Sequence, residues 1–244
     1  DTRVFAAFTE SHLPYKLDMP AKVPNLAEMT AVAIKILKQN PKGFFLMVEG
    51  GKIDHAAHAN APVAMVCDTM DLDNAVKAGV DFRQEDSDTL ILVGGDHETG
   101  GLGMGTGSDY YMKPKMIKDA TKTEFGMGYG EVLQDPDKAF EIFQSATGIK
   151  RLRSKEKKAI KKAIKQAKAG KPMRSPNISY NPSIFGYTFA QIVSNRTRIG
   201  WTSYAHTAHP VLLTVVGPGA ENFMGYYDNT DIGKKIAALW EVEL

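Results

Sequence analysis

One cysteine, Cys67, is all the thiol chemistry that these 244 residues carry. A lone thiol closes no internal disulfide and builds no cysteine metal site. Its neighbours Val63, Val66 and Met70 fall on the same helical face, which places it in core packing. Net charge is scarce as well: 30 Lys+Arg stand against 28 Asp+Glu, for a formal +2, so the overall balance argues for neither nucleic acid nor an anionic membrane as partner. No apolar run reaches the length of about 18 residues that a membrane-spanning helix needs. The opening DTRVFAAFTESHLPY lacks the charged start and apolar centre of a signal peptide, and the first residue is Asp1 rather than Met. A processed or partial chain is therefore expected. What is plentiful is apolar side chain, 43% of the total, enough for a sizeable core in one large domain.

The apolar residues follow two periods. NLAEMTAVAIKILK, residues 25 to 38, places Leu26, Met29, Ala33, Ile36 and Leu37 at helical spacing, with Asn25 as cap and Asn40-Pro41 as stop. GFFLMVEGG then reads as a buried strand, and a second helix is expected from about Pro62 to Ala78 with Val63, Val66, Met70 and Val76 inward. TLILVGG (89 to 95) and PVLLTVVGPG (210 to 219) are further apolar strands, and a closing helix spans about Asp231 to Trp240. This alternation predicts an α/β fold with a largely parallel sheet. The expected organisation is an α/β core over 1–102, an insertion region over 103–195 with helical patterns near 135 to 147, 152 to 169 and 184 to 195, and a return to the core over 196–244.

Polar clusters follow these strands, where ligands gather in open α/β sheets. In MVEGGKIDHAAHANAP, Asp54 and His58 are four apart, so on a helical turn they face the same side. A carboxylate with an imidazole suits zinc, and Glu49 adds an oxygen ligand suited to magnesium; a solvated helix start is the alternative for this stretch taken alone. VGGDHETGG sets Asp96 and His97 in the same position after the next strand, and WTSYAHTAHP adds His206 and His209 before the last. His58, His97, His206 and either His55 or His209 could converge on one crevice, while His12 reads as a loop residue.

Together, VEGGKIDHAAH, DHETGG, HTAHPV and GPGAENFMGYYDNTDI resemble the alkaline phosphatase family, in that order and across most of the chain. The resemblance implies a three-layer sandwich, its central sheet flanked by helices, that hydrolyses phosphate monoesters to inorganic phosphate through a phosphoserine intermediate, with two Zn2+ and one Mg2+. It implies that Asp54, His58 and His206 hold one zinc, that Asp96 and His97 belong to the second, that Glu49 belongs to magnesium, and that His55 stands beside the metals without ligating them. His206 is preferred to His209 by its distance to the GPG turn at 217–219. Gly94-Gly95 and Ala61 depart modestly from the family pattern.

The larger departure is an absence. The family's nucleophilic serine lies upstream of its SHLPY-like segment, and here eleven residues precede His12. The expectation is thus the C-terminal part of an alkaline phosphatase, inactive without the remaining N-terminal part, periplasmic or secreted and homodimeric by resemblance. Two other readings stay open: a phosphodiesterase of the same superfamily, or a non-catalytic metal-binding protein. Outside the motifs, residues 150 to 171 carry eleven basic residues against the single Glu156, with Ile160, Ala163, Ile164 and Ala167 as a narrow apolar stripe. A solvated helix docked by that stripe is expected, with anion steering as the alternative. GGLGMGTGS lacks the GK[ST] ending of a P-loop and is expected to be a flexible connection.

Overall fold

The computed structural model describes residues 3–108, 110–127, 132, 135–169 and 184–243. Helix α1 (Leu26–Leu37) starts where Asn25 and Glu28 form a reciprocal capping box, Glu28 N donating to Asn25 Oδ1 at 2.9 Å and Asn25 N to Glu28 Oε2 at 2.8 Å. It ends three residues before Asn40. The short α2 (Lys52–His58) follows, then the long α3 (Pro62–Glu85), which runs past the expected end at Ala78. Strands β1 (Ile91–Gly94), β2 (Glu98–Thr99) and β3 (Gly103–Met104) come next, then helices α4 (Lys115–Asp119), α5 (Pro136–Thr147), α6 (Ser154–Lys168) and α7 (Ile184–Thr197). Strands β4 (Ile199–Gly200), β5 (His206–Thr207) and β6 (Leu213–Val216) and helix α8 (Thr230–Leu239) complete the order.

Helix α3 is the spine of this arrangement. Its own cap position, Ala61, offers no side-chain acceptor, and the buried Glu124 supplies the need from a distance. Val63 N donates to Oε1 at 2.9 Å and Ala64 N to Oε2 at 3.1 Å. Two buried aspartates on α3 do the same for others: Asp68 accepts from Lys16 N at 3.2 Å, and Asp71 accepts from Leu26 N, at the start of α1, also at 3.2 Å. The Asp71 carboxylate also pairs with Lys16 Nζ at 3.3 Å.

The largest core cluster gathers Phe143 of α5, Ile160 and Ile164 of α6, and Phe185, Phe189 and Val193 of α7 against Val63 of α3, with Phe143 and Phe189 stacked at 4.6 Å. Ile160, Ala163 and Ile164 are nearly inaccessible, so α6 docks by its expected stripe. A second cluster of Tyr15, Ala56, Ala59, Ala61, Ala64, Tyr187 and Ala190 lies under α2, where small side chains predominate. Cys67 is half-buried against the first cluster, while Met70, expected inward, is 55% exposed one turn further on.

Two expectations about the sheet need correction. The described strands form three antiparallel pairs, β1 with β6 (Ile91 opposite Val216), β2 with β5 (Thr99 opposite His206) and β3 with β4, and no parallel pair occurs among the described residues. Apolar runs identify a strand but do not carry its direction, and the long path from β1 to β6 allows either one. Residues 43–51, expected as a buried strand, have no ladder partner among the described strands. Phe44 packs on Phe82 of α3 with ring centroids 5.8 Å apart, whereas Phe45 and Met47, on the opposite side of the alternation, are 58% and 68% exposed. One face of the segment is covered by α3, and on the other, largely exposed face Phe45 meets the Trp240 ring edge-on at 6.1 Å. No described helix is long and apolar enough to cross a membrane.

Candidate metal centre

Helix α2 places Asp54 and His58 one turn apart, and β5 brings His206 to them from the far end of the chain. His58 Nε2 lies 3.1 Å from His206 Nε2, while Asp54 Oδ1 lies 3.5 Å from the first and 3.7 Å from the second. A tetrahedral ion with metal–nitrogen bonds of about 2.1 Å has ligand atoms about 3.4 Å apart. The three edges bracket that figure, so Asp54, His58 and His206 fit one cation between them.

The hydrogen bonds behind the ligands point the same way. His58 Nδ1 is 2.7 Å from the carbonyl oxygen of Tyr204, which can only accept, so the ring proton sits on Nδ1 and the lone pair of Nε2 faces the centre. The Thr99 hydroxyl donates to Asp54 Oδ1 at 2.7 Å and thereby presents a lone pair to His97 Nδ1 at 3.2 Å. His97 Nε2 in turn lies 3.1 Å from Asp96 Oδ2. His97 also stacks on His206 with centroids 3.6 Å apart, which joins the two clusters.

Glycines bring the supports together. Gly100 and Gly101 have φ of +87° and +60°, and a Cβ on Gly100 would stand 2.8 Å from the Trp201 ring. That approach lets Gly100 N donate to Ala205 O at 3.0 Å and Thr202 N to Gly100 O at 3.0 Å, which fixes the chain leading into His206. The Glu98 carboxylate takes Gly101 N at 3.0 Å and the Thr207 hydroxyl, tying β2 to β5 on the other side. Between α2 and α3, Asn60 adopts φ +51°, accepts from Ser194 Oγ of α7 at 3.3 Å, and orients its amide to donate to Ala57 O at 3.0 Å and Ser203 O at 2.9 Å.

The remaining expected residues lie around this triad. Asp96 is largely exposed and His97 half-buried. Glu49 is exposed and lines a separate cavity of about 50 Å3 with Lys52, Asp68 and Asp71. His55 turns to Lys52, whose Nζ lies 3.1 Å from His55 Nδ1 and 4.1 Å from the Tyr15 ring centroid. Burial above all, then the positive charge of Lys52 and His12, pushes His55 down to about 4. Burial likewise lowers Lys52, against the pull of Asp68. His12, read as a loop residue, packs edge-on against His55 at 4.6 Å, and His209 bonds only its neighbour's carbonyl, Pro210 O at 3.1 Å, among the contacts described. Thr99, Glu98 and the Tyr204 carbonyl were missed by sequence reasoning. Thr99 had one signal, a hydroxyl two residues beyond His97, and a main-chain carbonyl has none.

Known proteins share both the sequence and the fold. The family model described as alkaline phosphatase matches residues 1–242. Alkaline phosphatase 3 of Bacillus subtilis is 33% identical over 236 residues, covering 97% of this chain and 48% of that protein. The alkaline phosphatase of Schizosaccharomyces pombe is 29% identical over 97% of this chain and 44% of its own length. The crystal structure of Thermus thermophilus alkaline phosphatase superposes with a TM-score of 0.80 at 26% identity, over 97% of this chain and 52% of that one. The chain spans about half the length of the curated relatives it matches. Its α/β fold is theirs, and with the family model matched from its first residue almost to its last, the chain belongs to the alkaline phosphatase family.

Proposed function

We propose that this chain supplies most of the metal ligands of a metal-dependent phosphomonoesterase that hydrolyses phosphate monoesters, through a phosphoserine intermediate, to inorganic phosphate. The observation that carries the reading is the Asp54–His58–His206 triad, spaced for one tetrahedral ion in a chain of this family. In this reading the triad holds one zinc, Asp96 and His97 contribute to a second, and Glu49 contributes to magnesium. The ions supply Lewis-acid activation of phosphoryl oxygen and water. The chain's own part is positioning: Tyr204 O fixes the tautomer of His58, Thr99 holds Asp54 and His97, and Glu98 locks β2 against β5 so that His206 faces α2. His55 stands beside the centre and holds no metal. The serine nucleophile, and the strands that would complete a three-layer sandwich over the open face of Phe45 and Met47, belong in this reading to the half of the relatives that the chain does not match. A periplasmic or secreted homodimer is part of the same proposal.

Zinc titration of the metal-free chain tests it. About one equivalent should bind tightly and be lost in His206→Ala, while the chain alone should hydrolyse aryl phosphate negligibly. Absence of a tight equivalent would sink the metal site. Robust turnover by this chain alone would sink the proposed division of labour.

A further inference from the structure

The metal ligands leave unused the most lopsided stretch of charge in the molecule. Helix α6 carries seven lysines, Lys155, Lys157, Lys158, Lys161, Lys162, Lys165 and Lys168, all exposed. Its one acid, Glu156, is buried and taken by Arg196, whose Nε and Nη2 lie 2.8 and 2.7 Å from the two carboxylate oxygens. No Asp or Glu occurs between Glu156 and Glu221 in the sequence, and none of the seven lysines makes an ion pair among the described residues. An ordinary solvated helix face mixes signs at i,i+4. This one sets lysine against lysine at 157/161, 158/162 and 161/165, an arrangement that destabilises a helix standing alone.

The geometry is a ridge. At 100° per residue, Lys155, Lys158, Lys162 and Lys165 fall within an arc of about 80° opposite the buried Ile160–Ala163 side, along a helix about 22 Å long. Burial of that side in the core turns the ridge outward. At its N-terminal end a cavity of about 410 Å3 is lined by Arg151, Arg153, Ser154 and Arg196, extending the cationic track. No aromatic residue interrupts α6, and the neighbouring Phe140 ring is covered by Lys157 and Lys161 at 5.4 and 5.7 Å. Single-stranded nucleic acid, which relies on base stacking, thus finds no platform here.

We propose that the α6 ridge is a binding site for a linear phosphate polyanion, of the inorganic polyphosphate type, apart from the metal centre. The purified chain is titrated with fluorescently labelled polyphosphate, with orthophosphate, and with single-stranded DNA of matched charge, over a range of salt. Polyphosphate should bind in a salt-dependent manner, and Lys155→Gln/Lys158→Gln/Lys162→Gln/Lys165→Gln should weaken it about tenfold or more and flatten the salt slope by about 3. Zinc uptake should be unchanged, so this site and the metal centre fail independently. Lys158→Gln alone, expected to weaken binding about twofold to threefold, covers the case of a poorly folding quadruple variant. No polyphosphate binding near physiological salt, binding indifferent to these substitutions, or DNA binding of equal strength would each overturn the proposal.

Discussion

Replacing Thr99 by valine asks how far the proposed zinc site depends on the residues behind it. The hydroxyl donates to Asp54 Oδ1 at 2.7 Å and faces His97 Nδ1 at 3.2 Å, so one substitution releases a ligand from each of the two clusters. Valine keeps the branched shape at a position 8% exposed, and the change is one of hydrogen bonding rather than space. A hydrogen bond to an ionised group contributes about 1.5–3 kcal/mol. Loss of an outer partner lowers metal affinity about 10–100-fold, or about 1.4–2.7 kcal/mol. The ranges overlap near 2 kcal/mol, which predicts zinc binding about 30-fold weaker. Competition between the metal-free chain and a chromophoric chelator at neutral pH measures this directly. His206→Ala, which removes a ligand outright, should lose more. A Thr99→Val chain whose zinc affinity stays within about threefold of the parent refutes the reasoning, because Asp54 would then be oriented without its partner.

Two further outcomes concern stability. Tyr187 is buried with no partner for its hydroxyl among the described residues, so Tyr187→Phe should stabilise the chain by about 1 kcal/mol in urea unfolding; destabilisation of that size would reveal a missed bond. Burial pushes Glu124 up to about 7, against the pull of its bonds from Val63 and Ala64. A carboxyl whose folded pKa is raised contributes stability that is full below its unfolded value and is lost as pH rises through about 7. The metal-free chain should therefore lose on the order of 3 kcal/mol from this group between about pH 4.5 and pH 7. Asp68, also pushed up to about 7 by burial, acts in the same direction. Urea unfolding at several pH values should show Glu124→Gln with a distinctly flatter profile, and parallel profiles would rule out Glu124 as a source.

Periodicity and capping made the helices legible. Asn25 opens α1 where its side chain can accept a main-chain proton, and α6 buries the stripe of Ile160, Ala163 and Ile164. Boundaries were less so: α3 continues seven residues past Ala78 because Asp81 and Arg83 suit an exposed helix end as well as a loop. Phe44 to Val48 carries the composition of a strand, but a strand is made by its neighbour, and composition names no neighbour. In the site, the i,i+4 relation of Asp54 and His58 was readable from spacing alone. His206 is 148 residues from His58, and its place came from family resemblance, not from any local pattern. The Tyr204 carbonyl and the edge of His12 were invisible, since main-chain acceptors and loop paths leave no trace in residue type.

Asn60, at φ +51° between α2 and α3, accepts from Ser194 Oγ and so anchors the turn two residues beyond His58 to α7. The left-handed region admits Asn far more readily than a β-branched residue, so a substitution such as Asn60→Val would place its backbone strain at the end of the helix that carries Asp54 and His58.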